Sequence, residues 1–330
     1  MKKNLAAFVL FFAIFIAFQV FSAGGKVFRF PQPIQNFFYP KKLSEFMKCY
    51  PDVDFEPEFD IETFDWKIFL SVNSFENRNE TRKNPKKSAV LYWSDGRLLP
   101  KEELSRKSEY WPLQYRYENR PRDPRTYTQA EIDEISHFGS ASSRRNQAGT
   151  PMFFFDFIYS ANSRREIEEH IISTTFLGKR TKIHERILPH IKKVETEILK
   201  EAENDEDVKT FVDELKSADA YYWRVIVGTS RKSFHSYGIS VDVLPARLRG
   251  KAIYWSWEKD KLGDKWMMIP LERRWSPGEK VIKIFEKNGF IWGGNWVIFD
   301  NMHFEYHPEL TAQLQNAKPA AYFLQSQNYR

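Results

Sequence analysis

Two stretches decide the reading of this chain: Ser233-Phe234-His235-Ser236-Tyr237-Gly238-Ile239-Ser240-Val241-Asp242-Val243, and Trp292-Gly293-Gly294-Asn295-Trp296 leading into Asp300-Asn301-Met302-His303-Phe304-Glu305. In the first, Ile239, Val241 and Val243 alternate with Ser240 and Asp242, the period of a half-buried strand, so Asp242 faces away from the apolar side. His235 precedes that strand, and Tyr237-Gly238 lets the chain turn between them. His235 and Asp242 can therefore converge at one sheet face. In the second, Met302 and Phe304 alternate with His303 and Glu305, which sends His303 to a polar face with a carboxylate beside it. Two imidazoles and one carboxylate form a catalytic zinc set that leaves a fourth position for water. Asp300 is a further carboxylate close by, suited to moving the water proton without ligating the metal. Spacing alone does not single out a metal site, since His-x6-Asp and Asp-x2-His both arise by chance.

Composition frames this reading. The 330 residues are 42% apolar and 16% aromatic, far from disordered or fibrous chains. The length suits one large domain or two ordinary ones. A single cysteine, Cys49, excludes an intramolecular disulfide framework and a cysteine-based zinc knuckle. The formal charge of +6 falls to about +4 without Lys2 and Lys3. This mild basicity suits a polyanionic cell wall or membrane surface, and no basic motif interleaved with aromatics argues for nucleic acid.

The N-terminus has the layout of an export signal: Lys2 and Lys3, an apolar run Leu5–Phe18, then Ser22-Ala23-Gly24 for cleavage. The run falls short of the roughly 20 residues that span a bilayer. Residues 1–23 are thus read as a signal peptide and the protein as periplasmic or secreted. Only an uncleaved N-terminal segment would touch the membrane.

Residues 24–150 carry no motif; Trp66–Leu70 and Ala89–Trp93 read as strands, and Ser74–Lys87 and Arg116–Tyr127 as polar loops. Met152–Ile158 reads as a buried strand. Residues 163–203 read as two helices separated by Gly178, the first with an Ile167, Ile171 and Ile172 face and the second running Ile183, Ile187, Ile191, Val194 and Ile198, with Pro189 a candidate kink. Asp207–Leu215 reads as another helix. His184-Glu185 lacks the second histidine of a zinc-binding HExxH helix, because position 188 is leucine, so His170, His184 and His190 are assigned structural roles, as are His137 and His307.

SxHxxGxxxD followed by WGGxW and DxxHFE resembles the paired signature of the zinc D,D-peptidase family, which includes D-alanyl-D-alanine carboxypeptidases, vancomycin-resistance D,D-dipeptidases and L-alanyl-D-glutamate endopeptidases. The resemblance covers residues 220–310, extends back to about 150, and leaves out 25–150. It implies an α+β fold, a small antiparallel sheet with flanking helices as in the hedgehog signalling domain, behind an N-terminal mixed region. By this resemblance His235, Asp242 and His303 match the zinc ligands and Asp300 the catalytic acid/base. Ser233 matches a substrate-holding serine, and Arg224 stands where the family's arginine steadies an oxyanion or a substrate carboxylate. Trp292 and Trp296 are assigned to the cleft wall and Glu305 to orienting a ligand histidine. The implied activity is a zinc peptidase acting on peptidoglycan peptide stems, with 151–330 as catalytic domain; the alternative is a catalytically inactive, zinc-containing envelope binding protein. Two departures stand out. The base is Asp where the D,D-dipeptidases have Glu, and an aromatic insertion, residues 244–280, separates the ligand segments.

Overall fold

The computed structural model describes residues 39–72, 87–118, 120–226, 229 and 231–314. The export-signal residues and most of the Ser74–Lys87 stretch lie outside them. Among the described residues no helix is long and apolar enough to cross a membrane. The chain divides into two units, residues 1–44 and 45–330; the described part of the first opens a helix, α1 (Lys41–Lys48).

Within the second unit, β1 (Val53–Asp60), β2 (Asp65–Val72), β3 (Lys87–Ser94) and β4 (Arg97–Leu99) form an antiparallel four-stranded sheet in chain order. The strands read around Trp66–Leu70 and Ala89–Trp93 are its two central members. A 3-10 helix (Lys101–Glu109) follows, then chain without regular structure over the described residues of 116–127 apart from a 3-10 turn at Pro124–Thr126, and then α2 (Gln129–Phe138).

The FFFDFI segment is a helix, α3 (Phe153–Ile158), and not the strand its apolar run implies. Phe154, Phe155, Phe157 and Ile158 are all buried, so the segment is apolar on every side and carries no period that separates helix from strand. Packing decides: Phe154 wedges edge-on between Phe46 and Tyr50.

The helical pattern across 163–203 also needs correction in its first half. A short helix (Arg164–Glu168) gives way to a hairpin, β5 (Ile171–Phe176) and β6 (Lys179–His184). Gly178 is its turn rather than a break between helices: Leu177 and Gly178 take φ of 47° and 75°, the paired left-handed residues of a two-residue hairpin. Thr174, Thr175 and Thr181 favour strands, which a count of isoleucine spacings overlooks. Only α4 (Leu188–Ala202) follows the helical period, burying Ile191, Val194 and Ile198; Pro189 sits in its first turn, where no donor is lost, and does not kink it. Helix α5 (Glu206–Asp213) comes where expected.

The second four-stranded sheet orders β7 (Leu215–Asp219), β8 (Ser240–Pro245), β10 (His303–Tyr306) and β9 (Phe290–Trp292), all antiparallel. Its apolar face rests on α6 (Glu279–Lys287), where Phe285 stacks on Phe304 at 3.8 Å, and α6 packs on α4. This is the expected α+β arrangement of a small antiparallel sheet with flanking helices. The aromatic insertion builds a second core: Trp255, Trp266 and Met267 pack with Ile135 of α2 and with Phe299. It lies directly behind Asp300, since Trp255 N–H donates to Phe299 O (2.9 Å) and Asn301 N–H to Ile253 O (2.8 Å).

Gly238 joins the hairpin to this sheet. Its φ is +64°, its carbonyl accepts from His184 N–H at 3.0 Å, and a Cβ there would lie 2.7 Å from Ile171 Cδ1 and 2.8 Å from His184 N. Both the left-handed backbone and the hairpin contact require glycine. Gly238→Ala is therefore expected to cost about 1–3 kcal/mol of unfolding free energy, measured by urea titration; a variant as stable as the parent would show that the hairpin does not press on this turn.

Candidate metal centre

His303 and Asp242 are direct cross-strand partners in β10 and β8, so the pleat puts both side chains on one face. His235 reaches the same point from the 3-10 turn Phe234–Tyr237. Ser233 caps that turn, its Oγ accepting from His235 N–H at 3.3 Å, and Gly238 closes it. The three side chains named from the sequence thus meet: one donor atom from each lies within 4.8 Å of the others, the only such group of three among the described residues.

The hydrogen bonds around the two imidazoles fix where their protons sit. His235 Nδ1 lies 2.5 Å from the carbonyl of Ala220, which can only accept, so Nδ1 carries hydrogen and Nε2 presents a lone pair. His303 Nε2 lies 2.8 Å from Glu305 Oε1. Burial works against ionisation of Glu305, but His303 and His307 hold its pKa down at about 2, so it accepts from His303 Nε2. Burial also works against charge on His303, yet Asp242 and Glu305 push its pKa well above the ordinary imidazole value, so without a metal ion Nδ1 carries a hydrogen as well. His235 Nε2 and His303 Nδ1 face each other at 3.2 Å. Asp242 stands 2.7 Å from His303 Nδ1 and 3.3 Å from His235 Nε2. Burial opposes its charge too, yet His235 and His303 keep its carboxyl well below the usual range. Three donor atoms that turn toward one another around a proton fit a metal cation in that proton's place. Zinc bonds of about 2.0–2.1 Å at tetrahedral angles separate donors by about 3.3 Å, close to these spacings, and the His2Asp set suits zinc in chemistry as well as geometry. Glu305 holds the His303 ring through the hydrogen bond at Nε2.

Asp300 is partly buried, and its Oδ1 is enclosed without a hydrogen-bond partner. Burial raises its pKa to about 7; His303 lowers it, Asp242 and Glu305 raise it, and Arg224 lowers it, which places all four charges around it. Its backbone is clamped by Asp300 N–H donating to Gly293 O (3.0 Å) and His303 N–H to Asp300 O (3.2 Å). Arg224 is held at both ends of its peptide by Ser236: its N–H donates to Oγ at 2.8 Å and the hydroxyl donates to its carbonyl at 2.6 Å. Arg224, His235 and Asp242 line a cleft of about 940 Å³ whose opposite wall is the β5–β6 hairpin, with Thr174, Arg180 and Lys182.

The remaining candidates sit further from the reacting point. Trp296 packs its ring 5.5 Å from that of His303. Trp292 is buried, with Nε1 donating to Asn301 O at 2.8 Å, and Gly294 lies under its ring so closely that a Cβ would fall 2.1 Å from Cζ2. Tyr117, which no motif marks, accepts from both Trp292 N–H and Asn295 Nδ2 at 2.8 Å and so seats the WGGN turn. His184 is buried and structural as expected: burial and then His170 lower its pKa to about 3, Nε2 donates to Tyr159 O, and Nδ1 caps the turn at Arg186.

Comparison with known families places this geometry. Residues 227–306 match a family model described as D-alanyl-D-alanine carboxypeptidase, a span that holds the three ligands, Ser233, Asp300 and Glu305 but not Arg224. Residues 42–114 match a model for a domain of unknown function. No curated protein and no solved structure matches the chain. The match and the His–Asp–His cluster together support a metallopeptidase.

His235→Ala, His303→Ala and Asp242→Asn are each expected to lower bound metal from about one ion per chain to near zero, measured by plasma mass spectrometry on dialysed protein. Glu305→Gln should keep the ion but bind it about 10–100-fold more weakly. Stoichiometric metal in the His235, His303 and Asp242 variants would contradict the donor set.

Proposed function

We propose that this chain is a secreted zinc peptidase that hydrolyses the peptide stems of peptidoglycan, of the D-Ala-D-Ala carboxypeptidase or the L-Ala-D-Glu endopeptidase type. Residues 1–23 act as export signal, placing it in the periplasm or outside the cell, and 151–330 as catalytic domain. The observation that carries the reading is the meeting of His235, Asp242 and His303 at the wall of an open cleft, with Asp300, its enclosed Oδ1 without a partner, three residues before His303.

His235, Asp242 and His303 would hold the zinc, which when bound supplies Lewis acidity to the scissile carbonyl and to water. Asp300 takes the proton of the attacking water at its carboxylate and delivers it to the leaving amine nitrogen. A group that both accepts and returns a proton works best with a pKa near the working pH, and the burial of Asp300 moves it that way. Arg224 faces the same cleft and steadies the charge developing on the carbonyl oxygen or a substrate carboxylate. Trp296 braces the His303 ring. Arg180 and Lys182 give the far wall positive charge, which suits a stem peptide bearing free carboxylates.

The base must be ionised, so turnover rises with pH along an acid limb set by Asp300. Its pKa of about 7 without metal falls when a cation binds beside it, which puts that limb between about 4 and about 7. Asp300→Asn is expected to retain zinc, lose about 10²–10⁴-fold in turnover and abolish the limb. Loss of zinc from that variant would assign Asp300 to the ligand set instead. Incubating the zinc-loaded protein with purified muropeptides and weighing the fragments should reveal loss of a terminal D-Ala or cleavage after L-Ala. Intact muropeptides would favour the binding-protein alternative.

A further inference from the structure

Behind the metal centre a row of buried polar groups runs out of β10 and into the N-terminal region. Glu305 Oε1 receives Nε2–H of the ligand His303, and its other oxygen is 3.2 Å from His307 Nε2, an ion pair. His307 Nδ1 donates to Glu309 Oε1 at 2.8 Å. The second oxygen of Glu309 accepts from the hydroxyl of Tyr50 at 2.6 Å, a residue 259 positions away in sequence. Glu309 is 1% and Tyr50 2% exposed. Phe155 and Phe234 wall His307 edge-on at 5.5 and 4.5 Å. Burial works against charge on that ring, but Glu309 and Glu305 raise its pKa to about 9, so it is cationic; Nδ1 hydrogen-bonds Glu309, while Nε2 makes no hydrogen bond and meets Glu305 as an ion pair.

A buried row of alternating charge is costly to desolvate, and stability alone is served as well by apolar side chains of the same volume. Its geometric effect is specific. The carboxylate of Glu305 is held by a hydrogen bond on one oxygen and an ion pair on the other, which sets its plane and so the orientation of the His303 ring, whose Nδ1 turns to Asp242. The anchor of the row, Tyr50, lies in the segment that matches the domain of unknown function, residues 42–114, for which the peptidase reading has no task.

We propose that His307, Glu309 and Tyr50 are positioning residues of the metal centre, and that the N-terminal region is thereby a built part of it. The inference rests on the metal reading of His235, Asp242 and His303 but not on peptidase activity.

The test uses the full mature chain and two readouts besides turnover: the zinc dissociation constant by chelator competition, and the visible spectrum of the cobalt-substituted protein. Glu309→Gln should weaken zinc about tenfold and shift the cobalt bands. Tyr50→Phe, which removes only the hydroxyl, should do both to a smaller extent, about threefold in affinity. Phe46→Leu is the control: its ring packs 5.2 Å from that of Tyr50 and lies outside the row, so it should lower thermal stability and leave zinc affinity and spectrum unchanged. Unaltered affinity and spectrum in folded Tyr50→Phe and Glu309→Gln would overturn the proposal, as would an equal shift in Phe46→Leu. If Glu309→Gln does not fold, Tyr50→Phe against the control decides. Failure of the parent protein to bind zinc would instead overturn the metal reading itself.

Discussion

Two imidazole nitrogens 3.2 Å apart, with the Asp242 carboxylate against both, set the terms for the rest of this structure. Such a group of donors holds together only around positive charge, a proton or a metal ion. Each ring is pinned on its far side, His235 to the carbonyl of Ala220 and His303 to the carboxylate of Glu305. Those outer hydrogen bonds decide which nitrogens turn inward, and inward nitrogens beside a carboxylate suit a metal cation.

The fold supplies that geometry from three independent pieces. Cross-strand register sets His303 against Asp242, and the stacked Phe304–Phe285 pair on the reverse of β10 fixes which face each residue takes. The capped turn at Ser233–Gly238 aims His235, and the β5–β6 hairpin presses on its glycine. The aromatic insertion between the two motif segments is a core that backs the Asp300 segment through Trp255 and Ile253. Ser233, implied as a substrate group, spends its hydroxyl on the His235 turn in this structure.

The site was legible and its surroundings were less so, for physical reasons. Strand alternation around Asp242 and His303 is a local signal, because the period of two is fixed by the pleat, and the ligands follow from it. The FFFDFI helix and the Ile171–His184 hairpin were not legible. An apolar run without polar punctuation has no period, and Ile167, Ile171 and Ile172 happen to fit a helical face while Thr174 and Thr175 carry the opposite preference. Tyr117 and Tyr50 could not have been picked out, since each acts through a hydroxyl on a partner more than 170 positions away. Contacts of that span leave no trace in local pattern.

X-ray absorption at the zinc edge of the loaded protein addresses the central claim most directly. The account predicts one zinc per chain with two imidazole nitrogens and one carboxylate oxygen at about 2.0–2.2 Å, the remaining position filled by a light oxygen atom. A first shell with one imidazole or none, or no edge signal after loading and dialysis, would contradict it.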